Sequence, residues 1–382
     1  MKKAVLAIDS FKGSLSSLEV ADAAGAGILS VFPACEVVKI PMADGGEGTA
    51  EALVYATGGK TVVVDTVDPL MRPIKAAYGI LGDGVTAVIE LAAASGLPLL
   101  CDNERDPMKT TTFGTGILIA HALRQGCRNF LLGIGGSATN DGGTGLLSAL
   151  GFRFLDANNH EVEPVGGKLI DIKRIDASGL MPEAKASVFR VACDVTNPLY
   201  GANGAAYVYA AQKGASAETI KVLDEGLTHY ASIIEDTIKS GVATFAGAGA
   251  AGGTGAGLMA MLNAALLPGV GLVLDTLNFN QLIEGCDLVI TGEGRVDRQT
   301  AMGKAPAGVA EAAAKKGIPV VAIAGSVNDR NELAQAGFGA CFSVLPRILT
   351  LNEAMQPETA KENVTQFVAQ LCRVIQLFKS KK

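Results

Sequence analysis

The sequence predicts an α/β protein: a doubly wound parallel-sheet domain made from both ends of the chain, interrupted by a second, inserted α/β domain. Three observations carry this. Short apolar runs at both ends stop at polar, glycine-bearing loops, with helical stretches between them, the strand–helix–strand grammar of a parallel sheet. Neither end alone supplies enough strands for a parallel sheet covered on both faces. The middle has strands of its own, opening with a pair around a proline-containing turn.

Taken in order, residues 4–8 and 36–40 read as strands. Between them, Ser16 and Glu19 have the spacing of a capping box, and Leu18, Ala21, Gly25, Ile28, Leu29 and Phe32 repeat as one buried helical face. Residues 60–67 and 74–81 read as antiparallel strands around DPLMRP at 68–73. Further strands fall at 86–92, 129–134 and 188–192, and a helix at 144–150. From 240 to 274 there is no formal charge, yet nine glycines, Asn263 and Pro268 argue against a membrane span. That tract reads as a possible short strand at 240–246, a glycine-rich loop, and a buried helix near 258–267. Strands at 287–291, 319–324 and 340–345, with helices at 308–316 and 358–378, return to the first grammar. The expected domains are 1–64 plus 279–382, and 65–278.

Composition narrows the function. Lys plus Arg number 32 against 38 Asp plus Glu, a net charge of −6, and the sequence has no basic stripe and no Trp, which argues against nucleic acid. Seven scattered cysteines, never spaced Cys-x-x-Cys, fit a reducing cytoplasm better than a disulfide or zinc framework. The N-terminal run is too short in apolar residues for a signal peptide and reads as a strand. Glycine is the informative excess: 47 of 382, about 12% against a norm near 7%. Clustered as it is, it points to main chain brought close to a ligand.

Four features carry chemistry. First, the run 133–143, GIGGSATNDGG, takes an apolar strand into a turn bearing Ser137, Thr139, Asn140 and Asp141, and then into a helix; amides at such a helix start make an anion site. Second, GAGAAGG at 247–253 contains a GxGxxG match, weak alone because the dinucleotide fingerprint also needs a preceding strand and a distant acid. A phosphate-facing loop there is preferred to a nicotinamide site, while close packing of two elements is the plain structural alternative. No Walker A motif is present.

Third, Asp9, Asp44, Glu47, Asp194, Glu293 and Asp297 all lie just past strands, where ligand crevices form in parallel sheets. Carboxylates there can hold Mg²⁺ or take a proton from an attacking hydroxyl, although a lone loop Asp is more often a cap. Fourth, Lys12 and Arg295 stand in those same loops, with Lys304 next in rank, as partners for an anionic substrate or a moving phosphoryl group. His121, His160 and His229 read as structural, and no nucleophile–base pair is visible.

Six runs now stand in one order: DSFKGSL (9–15), PMADGGEGT (41–49), GIGGSATNDGG (133–143), ACDVTNPL (192–199), GAGAAGG (247–253) and TGEGRVD (291–297). Together they resemble the type 1 glycerate kinase family, over nearly the whole chain. The resemblance implies a flavodoxin-like α/β domain interrupted by a second α/β domain. It implies ATP- and Mg²⁺-dependent phosphorylation of (R)-glycerate to 2-phosphoglycerate in glyoxylate and sugar-acid breakdown.

On that footing, Asp194 is the expected base, with Lys12 and Arg295 on the transferred group or the substrate carboxylate. Gly135, Gly136, Ser137, Thr139, Gly252, Gly253 and Thr254 are expected at the nucleotide phosphates. Ser10, Asn140, Asp141, Asn197 and Lys304 are expected at the substrate, and Asp44 and Asp297 at the metal. The reaction is expected in a cleft that closes to exclude water. Phosphorylation at the 3-hydroxyl, a nicotinamide-dependent oxidoreductase of a small hydroxy acid, and a non-catalytic binder of such acids are the rivals. Oligomeric state is open, and no membrane or nucleic-acid partner is expected.

Overall fold

Short unbroken apolar runs such as KAVLAI and LVIT suit strands buried on both faces of a parallel sheet. The computed structural model bears this out, and it describes every residue except Asp44, Lys239, Ser240, Met302 and residues 380–382, with only the backbone of Ile238 and Lys379. Contacts divide the chain into two units, Met1–Asp44 with Val270–Lys382, and Gly45–Gly269.

In the unit formed by the chain ends, five strands make one parallel sheet: Lys3–Ile8, Glu36–Lys39, Leu288–Val296, Val320–Val327 and Ala340–Ser343. Numbered in chain order, they run 2-1-3-4-5 across the sheet, the flavodoxin-like doubly wound arrangement. The order reverses between Lys3–Ile8 and Leu288–Val296, so the loops after these two strands flank the switch point where such folds bind ligands. The capping box is present: Glu19 N–H donates to Ser16 Oγ (3.3 Å) and Ser16 N–H to Glu19 Oε2 (2.9 Å), starting the helix Ser17–Leu29. That helix packs on Pro357–Lys379 so closely that a Cβ on Gly27 would lie 2.6 Å from the Thr365 carbonyl oxygen. Leu6, Ile8, Ile28, Val364 and Val368 fill the core between sheet and helices. Each such side chain contributes about 1.5–3 kcal/mol by leaving water.

The unit Gly45–Gly269 has a six-stranded sheet ordered Ala265–Leu267, Val188–Ala192, Asn129–Gly133, Thr86–Glu90, Pro73–Ile80, Lys60–Val67. The first four are parallel, and the last two are antiparallel additions that form the expected hairpin, with Lys60 opposite Ile80 and Val67 opposite Pro73. Four parallel strands therefore end on the same edge, at Glu90, Gly133, Ala192 and Leu267.

Two local expectations fail in the uncharged tract. Asn263 adopts φ +51° and ends the helix Ala250–Leu262, so residues 265–267 form a strand instead of a last helical turn. Where a strand was expected over 240–246, Val242–Thr244 is a 3₁₀ turn. The helix Thr49–Thr57 packs on the six-stranded sheet, so the chain enters this unit at 44/45 and leaves it at 269/270, rather than at 64/65 and 278/279. Among the described residues, no helix is long and apolar enough to cross a membrane.

Candidate active site

At the switch point of the first unit, strand Lys3–Ile8 runs into a tight turn closed by Phe11 N–H to Leu15 O (2.9 Å) and Ser14 N–H to Phe11 O (2.8 Å). The turn leaves Lys12 and Gly13 exposed, with Gly13 at φ +77°. Asp9 is buried at the strand end, its Oδ1 accepting the N–H of half-buried Ser10 at 2.6 Å. On the neighbouring strand, a Cβ on Gly294 would sit 3.4 Å from Phe11 Cα and 3.5 Å from Lys12 N, so the two loops lie against each other.

Beyond Gly294 the charges pair off. Arg295 Nε meets Asp297 Oδ2 at 3.0 Å, while Asp297 Oδ1 accepts Gln299 N–H at 2.9 Å. Glu293 accepts Thr300 Oγ1–H at 2.6 Å and pairs with Lys304 Nζ at 3.3 Å. Lys12, Glu293, Arg295, Asp297 and Lys304 thus belong to one end of one sheet, with Arg295 mostly exposed.

In the second unit, the loop 45–48 lies across the carboxyl edge of the parallel strands. A Cβ on Gly45 would be 2.4 Å from Ala192 Cβ, and one on Gly133 would be 2.4 Å from Gly45 O. Glu90 ends its strand there and accepts Ala50 N–H at 2.8 Å, so its carboxylate sits at the start of the helix Thr49–Thr57. Burial raises the Glu90 pKa above its ordinary value, against the amides of Ala50, Gly48 and Thr49. Asp194 follows Val188–Ala192 on this edge, is exposed, and takes Gly269 N–H on Oδ1 at 2.9 Å. Gly135 and Gly136, after Asn129–Gly133, are exposed on it too.

The rest of the turn 137–143 is inside the protein. Asp141 has no exposed surface, and its carboxylate accepts Thr112 N–H (2.8 Å), Thr112 Oγ1–H (2.7 Å), Gly143 N–H (3.2 Å) and Gly145 N–H (3.2 Å). The anion at the start of the six-residue helix Thr144–Ala149 is therefore the chain's own side chain. Burial holds the Asp141 pKa above the usual carboxylate range despite these donors. Thr139 Oγ1 and both amide atoms of Asn140 are buried with no hydrogen-bond partner.

The second glycine cluster packs on this turn. Ala251, Gly252 and Gly253 all have positive φ, and a Cβ on Gly252 would lie 2.1 Å from Thr139 O. A Cβ on Gly253 would meet Leu199, Leu227 and Gly142, and Thr254 is fully buried with Oγ1–H on Ala251 O at 2.8 Å. Gly247 would press Cys193 Sγ at 2.8 Å and Gly249 the Pro198 carbonyl oxygen at 2.2 Å. The GxGxxG match is thus a close-packing seam, entered from a 3₁₀ turn and not from the strand a dinucleotide site needs.

Of the remaining expected residues, Asn197 is held at both ends of its amide, by Asn203 O (2.9 Å) and Tyr209 Oη (2.6 Å). Asp44 lies outside the described residues. Among the described residues, no three of His, Cys, Asp and Glu gather as a metal-binding group. A single carboxylate still suits Mg²⁺ that arrives on phosphates. Asp297 fits: a carboxylate has about four acceptor positions, and the two bonds given above occupy one on each oxygen. His121 Nδ1 meets Tyr78 Oη at 3.0 Å and His229 Nε2 meets Ile172 O at 2.6 Å, as structural histidines do.

Two residues escaped the sequence reading. Glu90 carried a signal, an acid closing a strand, hidden because that strand was extended to 92. Lys213 carried none.

The model of the Glycerate kinase family matches residues 4–376. The chain is 50% identical to glycerate kinase of Halalkalibacterium halodurans over 357 residues, 93% of this chain and 94% of that one. It is likewise 50% identical to glycerate 2-kinase of Escherichia coli K12 over 355 residues, 93% of each chain. A crystal structure of a glycerate kinase 2 from Salmonella typhimurium LT2 superposes with a TM-score of 0.92 at 45% identity, covering 99% of both chains.

Proposed function

The chain belongs to the glycerate kinase family, and from that premise we propose that it moves the terminal phosphoryl group of ATP to the 2-hydroxyl of (R)-glycerate, giving 2-phosphoglycerate and ADP. The observation that carries the reading is the family likeness along 4–376, which spans every motif that ends a parallel strand with a charged loop.

Phosphoryl transfer asks little covalent chemistry of a protein; positioning and charge do most of it. Asp194, exposed at the carboxyl edge and oriented by Gly269 N–H, suits a base that takes the hydroxyl proton as the O–P bond forms. Gly135 and Gly136 offer exposed main chain that phosphate oxygens can approach closely. Lys12 and Arg295 provide positive charge for the transferred group, with Lys304 and Ser10 for the substrate carboxylate. Mg²⁺ bound with ATP would neutralise phosphate charge, with Asp297 as its protein ligand. Free cysteines throughout the described chain suit the reducing cytoplasm where ATP is made.

The test is ³¹P NMR of the products from Mg-ATP and (R)-glycerate. A secondary phosphate ester with stoichiometric ADP is expected; a primary ester would move the reaction to the 3-hydroxyl, and no ester would end the reading.

A further inference from the structure

Lys213 ends the short 3₁₀ turn Ala211–Lys213 and is 2% exposed. Its Nζ donates to Ser137 Oγ at 2.8 Å and to the Thr139 carbonyl oxygen at 2.6 Å. Both acceptors belong to the turn whose exposed members are Gly135 and Gly136. An ammonium this deep is costly unless its charge serves something. Burial brings the Lys213 pKa down to about 7, and Asp141 works against that fall.

The turn needs such an anchor. It holds Gly136, Gly142 and Gly143 at positive φ and leaves Thr139 Oγ1 and the Asn140 amide unpartnered. Backbone bonds fix its outer rim, Leu97 N–H to Gly136 O (2.9 Å) and Ala138 N–H to Ser95 O (2.9 Å), and Asp141 fixes its far end. Between these, Thr110 Oγ1–H donates to Ala138 O at 2.9 Å, and Lys213 is the donor to positions 137 and 139 on either side of it.

We propose that Lys213 is a positioning residue for phosphoryl transfer: its ammonium holds the turn 135–143 in the shape that presents Gly135 and Gly136 to the nucleotide phosphates. The inference rests on the nucleotide reading of that turn given above. It also carries a pH dependence. The charged group acting on Lys213 is Asp141, which in turn acts on the buried Tyr230 hydroxyl. Gly214 packs on the backbone of Arg105, whose side chain pairs with Asp102 at 2.9 Å. As pH rises past about 7 Lys213 gives up its proton, and the turn loses a charge-assisted donor.

The experiment measures amide hydrogen exchange of the full chain without ligand and with a non-hydrolysable ATP analogue plus Mg²⁺, alongside steady-state kinetics of wild type, Lys213→Met and Lys213→Gln. Without ligand, Lys213→Met should speed exchange at 135–143 while the helix Ala217–Ile238 keeps its protection. Its KM for ATP should rise roughly 10- to 100-fold, the scale of an ångström of misplacement, with KM for glycerate within about twofold. Lys213→Gln, which keeps a donor without charge, should fall between. Wild-type KM for ATP should climb from pH 7 to 9, and that of Lys213→Met should stay level.

Unchanged exchange in ligand-free Lys213→Met, or equal pH profiles, would overturn the proposal. A loosened turn with analogue protection elsewhere would overturn the nucleotide reading instead, and Lys213's kinetic role with it. If Lys213→Met does not fold, the Gln variant and the wild-type exchange profile across pH 7 decide in the same way.

Discussion

Replacing Gly252 by Ala tests whether the glycine seam exists to hold one turn against another. Gly252 has φ +67°, where an L-residue is strained by about 1–2 kcal/mol. The new methyl would stand 2.1 Å from Thr139 O and 2.5 Å from Asn140 Cα. Retreat to an ordinary 3.4 Å contact with that oxygen requires 3.4 − 2.1 = 1.3 Å of movement in backbone that cannot rotate away. Overpacking of this kind adds roughly 1–3 kcal/mol, for a total near 2–5 kcal/mol. For a unit of 225 residues (269 − 45 + 1) that is about 4–20 °C in melting temperature, with the centre near 10 °C.

Gly84→Ala isolates the strain, since Gly84 has φ +73° in the same unit with nothing within 4 Å of its would-be Cβ. It should lose only about 2–8 °C and no activity. Scanning calorimetry separates the two. Gly252→Ala should in addition lose roughly 100-fold in kcat/KM for ATP, because an ångström at the turn is enough to spoil alignment. If the two variants melt together and turn over equally, the seam does not govern the turn.

Asp194→Asn keeps the acceptor for Gly269 N–H but not the basicity, so kcat should fall about 100- to 10,000-fold with melting little changed; near-normal turnover at saturating substrates would remove it as base. Lys12→Ala touches an exposed side chain, so stability should hold while KM for glycerate or phosphoryl transfer worsens about tenfold or more; rapid-quench kinetics would detect either, and no change would take Lys12 out of the site. Glu90 has a raised pKa, so the folded state binds the proton more tightly than the unfolded chain. Its stabilising contribution is full below about 4.5 and is lost as pH rises through the folded value. Relative to wild type, Glu90→Gln should therefore gain melting temperature as pH rises above about 4.5, and a difference that stays flat with rising pH would contradict the assignment.

What the sequence revealed follows from the range of each cause. The capping box at Ser16 and Glu19 and the hairpin 60–80 are set by neighbours a few residues apart, and both were legible. The parallel strands of the first unit were legible too, because doubly buried strands announce themselves as unbroken apolar runs. Ala265–Leu267 was not: three residues after an uncharged helix carry no period, and only the left-handed Asn263 separates them. Lys213 was hidden for a different reason. Its partners lie 76 and 74 residues back along the chain, and in AAQKGAS it looks like any solvated loop lysine.

The two helix starts change where anion recognition can reside. The glycine-rich turn 133–143 suggested amides waiting for phosphate, yet Asp141 takes Gly143 N–H and Gly145 N–H; at the start of Thr49–Thr57, Glu90 likewise takes Ala50 N–H. An amide already donating to a carboxylate has no hydrogen left for a second acceptor. Both carboxyls are shifted toward their neutral forms by desolvation, Asp141 from full burial and Glu90 from partial burial. On the proposed reading of the turn 135–143, phosphate would meet the main chain that those carboxylates leave alone, at exposed Gly135 and Gly136. The helix-start carboxylates shape their loops through these bonds, and the glycines beside them answer to main-chain crowding.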